Sequence, residues 1–258
     1  AEDVETNRLI ILEILQLMGH KPDIAKNGSE AVSKFLNNQY DLIFMDCQMP
    51  VMDGFEATES IRNIEVQRSL ARTPIIALTA GFNDKDKDMC LAAGMDFYLT
   101  KPFTISDISK VMRRFCQPED QSSSFKKEQP VTIKDRDIDA DKEKIFNYSA
   151  IEGIREIERQ TKKPVLPAIF EGYVDQMRSK LIELEKCLAN RDSIEIYRAA
   201  HAIKSMSANM GAEKVRHLSG QIEAAAREGE MEGLYDSIEE LSLAYKEFIS
   251  AFTLEFSD

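Results

Sequence analysis

Several polar side chains stand directly after short apolar runs in the first part of the sequence. Asp46, Thr79 and Lys101 each follow such a run, and Glu2 and Asp3 precede the first helical pattern. Three carboxylates, a hydroxyl and a lysine that converge at one place would suit a magnesium ion and a phosphoryl group, because hard cations prefer carboxylate oxygens. The sequence therefore predicts a magnesium and phosphoryl site, provided that the fold brings these residues together.

A second candidate site surrounds a single histidine in the later part of the chain. His201, Lys204 and Ser205 share one helical face, since they are spaced at i, i+3 and i+4. Four basic residues and one acidic residue lie between Arg198 and Arg216. We expect a hydrated face of small residues that another protein can approach, with Lys204 able to hydrogen-bond a phosphoryl group on His201.

The elements that must position the first group of residues alternate between helix and strand. The pattern predicts helices at 5–18, 28–37, 54–66, 83–93 and 104–116, and strands at 22–25, 41–45, 74–79 and 96–99. Continuous apolar runs, such as 42–45 and 75–78, are typical of strands that are buried on both faces of a parallel sheet. This order predicts a doubly wound α/β sheet, whose ligand site lies at the carboxyl ends of the strands.

The remainder of the chain has a different character, because all eight prolines lie at or before Pro167. Apolar periodicity predicts helices at 149–161, 165–189, 192–208, 212–228 and 231–254, and short connections favour an antiparallel bundle. Residues 117–146 contain 14 charged residues of 30 and three successive serines, which is typical of a flexible linker. The predicted division is therefore 1–116, 117–146 and 147–258.

Composition excludes several classes of protein. The formal net charge of −12 disfavours binding to nucleic acid. No stretch approaches the roughly 18 consecutive apolar residues of a membrane span, and no signal-peptide pattern opens the chain, so we expect no direct membrane insertion of this segment. The four cysteines are scattered without a CxxC pair, which favours a reducing cytoplasm over a disulfide framework.

Three segments of the first part carry a family resemblance. Residues 46–54 (DCQMPVMDG), 78–80 (LTA) and 98–103 (YLTKPF) strongly resemble the receiver domain of response regulators, in both order and spacing. The resemblance covers almost all of 1–116 and implies a flavodoxin-like receiver fold. It also implies a cis bond between Lys101 and Pro102.

The resemblance assigns roles to the residues of the predicted site. Asp46 would be the phosphoacceptor, Lys101 and Thr79 would contact the transferred phosphoryl group, and Tyr98 would be the switch aromatic. The ligands of Mg²⁺ would be Asp3, Asp46, the backbone carbonyl of Gln48 and, through water, Glu2.

Residues 201–211 (HAIKSMSANMG) carry a second resemblance, to histidine-containing phosphotransfer (HPt) domains. It covers residues 147–250 or so and implies a four-helix bundle in which His201 is a phosphoacceptor assisted by Lys204. Ser205 departs from the family pattern, which commonly has glycine beside the lysine. Serine is still small, so close approach of another domain remains possible.

Together the two resemblances imply a two-component phosphorelay. Asp46 would accept a phosphoryl group from the phosphohistidine of a histidine kinase, and His201 would pass it to or from the aspartate of a separate receiver. No Gly-rich nucleotide-binding segment is present, so we do not expect this chain to phosphorylate itself from ATP. The pattern is similar to the C-terminal part of a hybrid sensor kinase, which would be cytoplasmic or tethered to the inner membrane through the rest of the kinase.

Three alternatives stay open at the level of sequence. A free-standing relay protein would have the same two domains, and a receiver that is never phosphorylated could act as a scaffold. An Asp-nucleophile phosphatase resembling the haloacid dehalogenases is disfavoured because Gln48 stands where that family has a second aspartate.

One feature of the receiver resemblance has no counterpart in the sequence. The family has an apolar strand just before the acidic pair Glu2 and Asp3, in the centre of the sheet, and this sequence begins at Ala1. We therefore expect a sheet without its first strand, either because the given sequence is truncated or because the place is filled from elsewhere.

Overall fold

The structure is a computed structural model that describes residues 1–79, 84–116 and 144–256, with the backbone alone given for 84–87. The described residues of its first part form three strands and five helices. The strands are β1 (Ile43–Asp46), β2 (Ile75–Thr79) and β3 (Phe97–Thr100), and the helices are α1 (Glu5–Leu17), α2 (Gly28–Asn37), α3 (Gly54–Arg68), α4 (Asp84–Ala93) and α5 (Ile105–Cys116). The described strands form one parallel sheet in the order β1-β2-β3, which confirms the predicted parallel α/β class.

The sheet follows from the local sequence. All five residues of β2 are buried, as expected for a continuous apolar run between two other strands. Two of the helices begin at side-chain caps: the Asn27 side chain accepts a hydrogen bond from the backbone of Glu30, and Asp53 and Glu56 form a capping box at the start of α3. These caps fix where the chain turns from each loop into a helix, next to the carboxyl ends of the strands.

The prediction of a strand at 22–25 is wrong for this structure. Residues 21–25 belong to no strand, although the backbone N–H of Glu2 donates a hydrogen bond of 3.0 Å to Ala25 O. A strand requires a ladder of such bonds to a neighbour. A cavity of about 1080 Å³ lies between this segment and β1, lined by apolar residues such as Ile11 and Phe44. The sheet of the described residues therefore lacks the first strand of the family, as expected, and also the strand predicted at 22–25.

Most of the described residues of the second part are helical. Its helices are α6 (Tyr148–Thr161), α7 (Val165–Ala189), α8 (Ser193–Met210), α9 (Glu213–Glu228) and α10 (Leu234–Phe256). Helices α7 to α10 pack as a four-helix bundle with α6 against α7 and α8, which confirms the predicted fold class. Among the described helices, none is both long and apolar enough to cross a membrane.

The two parts share a continuous apolar core. Helix α1 packs on α5 of the sheet side and also on α6, α7 and α8. The predicted linker at 117–146 lies mostly outside the described residues, which resume at Lys144. Phe146 belongs structurally to the bundle, since its ring lies 5.4 Å from that of Phe248. The packing of α1 brings the carboxyl edge of the sheet against α8.

Candidate functional site

Three carboxylates meet at the carboxyl edge of the sheet. Oxygens of Glu2, Asp3 and Asp46 all lie within 4.8 Å of one another, the separation at which one cation can contact all three. Asp46 is the last residue of β1, and its backbone N–H donates to the carbonyl of Ala1 at 2.9 Å, which fixes the two segments side by side. The donor set consists of hard oxygens, so it fits Mg²⁺.

Lys101 lies in the centre of this cluster. It follows β3, its peptide bond to Pro102 is cis, and its side chain is completely buried. The ammonium group donates to Glu2 Oε2 at 2.7 Å, to Asp46 Oδ2 at 2.7 Å and to Ser205 Oγ at 3.0 Å. A lysine has three N–H donors, so every one of them is used, and one is used on the helical domain.

Burial and charge together set the protonation of the cluster. Burial and the neighbouring Glu2 carboxylate raise the pKa of Asp46 well above its ordinary value. Burial also raises the pKa of Glu2, but the charge and hydrogen bond of Lys101 outweigh it, so the pKa of Glu2 is lowered overall. The same two carboxylates overcome the burial of Lys101 and raise its pKa. A second positive charge at the site would favour ionised Asp46.

The other predicted receiver residues are Thr79, Gln48 and Tyr98, which lie on or shortly after the strands of the sheet. Thr79 ends β2 and is buried beside Asp46 and Gln48 in a common cavity. The backbone N–H of Gln48 donates to Asp46 Oδ1 at 3.3 Å, while its side-chain amide donates to the hydroxyl of Tyr197 in the helical domain. Tyr98 lies on β3, half-buried, with its ring stacked on Phe97.

Gly54 is a residue of this site that the sequence analysis left out. A Cβ atom at this position would lie 2.0 Å from the carbonyl oxygen of Asp46, so only glycine permits the chain to pass this close. Its signal was present in the sequence as the glycine directly after Asp53, at the predicted start of α3.

The histidine site is built on two helices. His201 lies on α8, and its Nδ1 is 2.6 Å from Oε1 of Glu223 on α9. The other carboxylate oxygen of Glu223 accepts a hydrogen bond of 2.7 Å from Lys204. Nε2 of His201 is buried and has no hydrogen-bond partner among the described residues. Glu223 therefore fixes one ring nitrogen and leaves the lone pair of the other available.

Glu223 was missed by sequence reasoning, because a glutamate 22 residues from the histidine carries no local signal. Burial raises the pKa of its carboxyl, but the hydrogen bond and charge of His201, together with Lys204, lower the pKa to about 2. The carboxylate is thus held ionised next to the imidazole, where it favours a positively charged ring.

The expectation of a hydrated face around His201 is wrong. His201 is only 9% exposed and Ser205 1% exposed, because the carboxyl edge of the sheet covers this face of α8. Between the two surfaces lies a cavity of about 400 Å³ that is lined by Asp46, Thr79, His201 and Lys204. Tertiary packing thus places the two predicted phosphoacceptors on the lining of one cavity.

Two family models match separate parts of the chain. The family model of the response regulator receiver domain matches residues 1–113, and the model of the Hpt domain matches residues 168–251.

Similar proteins match over different shares of the chain. Hybrid signal transduction histidine kinase B of Dictyostelium discoideum is 45% identical over 115 residues, which are 42% of this chain and 6% of that kinase. The aerobic respiration control sensor protein ArcB of Escherichia coli K12 is 27% identical over 227 residues, which are 86% of this chain and 27% of ArcB. The chain therefore spans a small part of the length of these relatives.

One solved structure similar to the first part is the receiver domain of a sensor histidine kinase from Pseudomonas aeruginosa, which has a magnesium ion coordinated in its active site cleft. It is 39% identical, with a TM-score of 0.41, and the match covers 45% of this chain and 92% of that one.

Proposed function

Because residues 1–113 are a response regulator receiver domain and residues 168–251 are an Hpt domain, we propose that this chain is a two-component phosphorelay module. Asp46 accepts a phosphoryl group from the phosphohistidine of a histidine kinase, and His201 accepts it from Asp46. The observation that carries the proposal is the cavity of about 400 Å³ that both side chains line. One of the similar proteins is a hybrid signal transduction histidine kinase, which supports such a kinase as the donor.

In the first transfer, a carboxylate oxygen of Asp46 forms a bond to phosphorus. The P–N bond of the donor phosphohistidine breaks, and its electron pair stays on the donor nitrogen as the lone pair of a neutral imidazole, whose other ring nitrogen keeps its proton. Lys101 donates to Asp46 Oδ2 and so lies where it can offset the charge of the incoming phosphoryl oxygens. Thr79, buried on the same cavity, supplies a hydroxyl donor.

We propose that Glu2, Asp3 and Asp46 hold Mg²⁺, with the backbone carbonyl of Gln48 as a further ligand and Glu2 acting through water. When bound, the cation would offset the negative charge of the carboxylates and of the phosphoryl oxygens. Two observations support this assignment: the close approach of the three carboxylates and the raised pKa of Asp46. Placing three carboxylates together and ionising the buried Asp46 both cost free energy unless a cation offsets the negative charge.

In the second transfer, the lone pair of His201 Nε2 forms a bond to phosphorus. The bond between phosphorus and the Asp46 oxygen breaks, and its electron pair returns to the carboxylate. The proton on His201 Nδ1 stays in its hydrogen bond to Glu223, 2.6 Å away, and the carboxylate offsets the positive charge that the ring acquires. Lys204 hydrogen-bonds the other carboxylate oxygen of Glu223 and lines the same cavity, which supports a role for it in the transfer.

Transfer from His201 to a separate receiver has a geometric requirement. The ring is 9% exposed while the chain's own receiver covers it. A second receiver can therefore reach His201 only after the first has moved away. We infer that the two domains alternate between a closed arrangement, for transfer within the chain, and an open one, for transfer to a downstream receiver.

The proposal is tested with radioactive acetyl phosphate as the donor. The wild-type chain should acquire hydroxylamine-labile acyl phosphate on Asp46 and then acid-labile phosphohistidine on His201. The variant Asp46→Asn should acquire neither, while His201→Gln should keep the acyl phosphate alone. Labelling should stop with a chelator and return with Mg²⁺. Undiminished phosphohistidine in Asp46→Asn, or no labelling of the wild-type chain, would contradict the proposed function.

A further inference from the structure

A small group of buried amide and hydroxyl side chains joins the two domains beside the phosphoryl site. Asn7 on α1 is completely buried, and Ser205 and Asn209 on α8 are 1% and 3% exposed. The amide nitrogen of Asn209 donates to Asn7 Oδ1 at 2.7 Å, and Asn7 Nδ2 donates to Ser205 Oγ at 2.8 Å. These side chains satisfy one another across the domain boundary.

The group is also tied to the chemistry of the receiver. Asn7 Nδ2 donates to Glu2 Oε1 at 3.0 Å as well as to the hydroxyl of Ser205. The same hydroxyl accepts a hydrogen bond of 3.0 Å from Lys101. Ser205 therefore contacts the carboxylate cluster through two donors, a contact that glycine at this position could not make. Docking of the helical domain and the arrangement of Lys101 depend on the same hydroxyl.

We propose that Ser205 and Asn209 are specificity-determining residues of the Hpt domain, and that they select receivers with a side-chain amide at the position of Asn7. This inference rests on the proposed function and names the chemistry of its partner: a receiver that presents an amide four residues after the aspartate of its acidic pair. It applies to the chain's own receiver and to any separate one that docks on α8.

The physical reason is the cost of an unpaired buried polar group. When the domains are apart, water satisfies all three side chains. When α8 docks on a receiver that has an apolar residue in place of Asn7, the amide of Asn209 loses its acceptor and the hydroxyl of Ser205 loses a donor, both without access to water. An unpaired group of this kind disfavours the wrong complex more than the matched bond favours the right one.

Asn209 is the residue to change first, because its side chain donates to Asn7 and not to a member of the carboxylate cluster. In the full chain, Asn209→Ala should reduce the rate at which label moves from Asp46 to His201 by about tenfold, which corresponds to about 1.4 kcal/mol. In a chain that already has His201→Gln, adding Asn209→Ala should leave the labelling of Asp46 unchanged. The exposed Asn190→Ala is the matched control in the same domain.

A double-mutant cycle separates recognition from a general weakening of the helical bundle. If Asn209 acts through Asn7, then Asn209→Ala should slow transfer little further in a chain that already has Asn7→Ala. Independent effects that multiply would overturn the inference, as would transfer at the wild-type rate in Asn209→Ala. In either case normal transfer in the wild-type chain would leave the proposed function standing, whereas absence of that transfer would refute both.

Discussion

The pairing of His201 with Glu223 leads to the most direct prediction about the transfer step. Both residues are only 9% exposed. One carboxylate oxygen of Glu223 lies 2.6 Å from His201 Nδ1, and the other lies 2.7 Å from Lys204 Nζ. Glutamine in place of Glu223 has nearly the same shape, but it has one acceptor oxygen for these two donors and no charge. Because His201 and Lys204 bond different oxygens of Glu223, one of these two donors would face the amide NH2 group of glutamine and lose its acceptor.

The magnitude follows from the kind of bond that is lost. A hydrogen bond to a charged group contributes about 1.5–3 kcal/mol. Because about 1.4 kcal/mol is a factor of ten in rate, Glu223→Gln should slow the labelling of His201 by roughly 10- to 100-fold. Labelling of Asp46 should be unchanged, since the Glu223 carboxylate hydrogen-bonds His201 and Lys204 of its own domain.

The assay is a time course of label transfer from acyl phosphate to phosphohistidine, followed by acid and hydroxylamine treatment of the full chain. Glu228→Gln, an exposed change at the end of the same helix α9, is the control and should transfer normally. Transfer at the wild-type rate in Glu223→Gln, with the fold intact, would refute the argument that this carboxylate orients the ring and stabilises its charge.

The same carboxylate predicts a dependence of stability on pH. Its pKa in the folded chain is about 2, against an ordinary value of 4.5, so its stabilisation is fully present above pH 4.5 and is lost as the pH falls towards 2. At about 1.36 kcal/mol for each pH unit, this amounts to roughly 3 kcal/mol. The difference in unfolding free energy between wild type and Glu223→Gln, measured in urea, should shrink over this range. A difference that is constant from pH 5 to pH 3 would contradict the assignment.

Two further changes test the packing behind the sites. Gly54→Ala would place a methyl group 2.0 Å from the carbonyl oxygen of Asp46, so labelling of Asp46 should fall at least tenfold. Gly153→Ala is the control, because an added methyl group there meets no atom within 4 Å, and it should leave labelling unchanged. Tyr173→Phe removes a buried hydroxyl that lies 3.0 Å from the hydroxyl of Ser207, so it should lower the free energy of unfolding by about 1–2 kcal/mol. Tyr235 is 68% exposed, so the control Tyr235→Phe should leave the free energy of unfolding unchanged. Equal effects of a change and its control would contradict the packing argument in each case.

Much of the fold was predictable because its signals are local. The apolar runs that became β1, β2 and β3, and the periodicity that became α7 to α10, placed the elements with errors of a few residues at their ends. The segment at 22–25 was the exception. Its composition suits a strand, but strand formation depends on a paired neighbour and not on the segment alone.

The candidate site divides in the same manner. The residue types that do the proposed chemistry, namely Asp46, Lys101 and His201, could be found from the sequence because they stand at strand ends or within a recognisable motif. Glu223 and Asn7 could not, because each acts on a residue that is distant in the chain: Glu223 on His201, and Asn7 on Ser205.

The sequence by itself thus determined the two domain types, the acidic pair, the strand-end aspartate and the helical histidine. Only the tertiary structure decided that α8 covers the carboxyl edge of the sheet, that Ser205 accepts a hydrogen bond from Lys101, and that Asp46 and His201 line one cavity. The physical reason is that local patterns fix elements through backbone and side-chain periodicity. The relation between two domains depends instead on which buried surfaces and polar groups satisfy each other across the boundary.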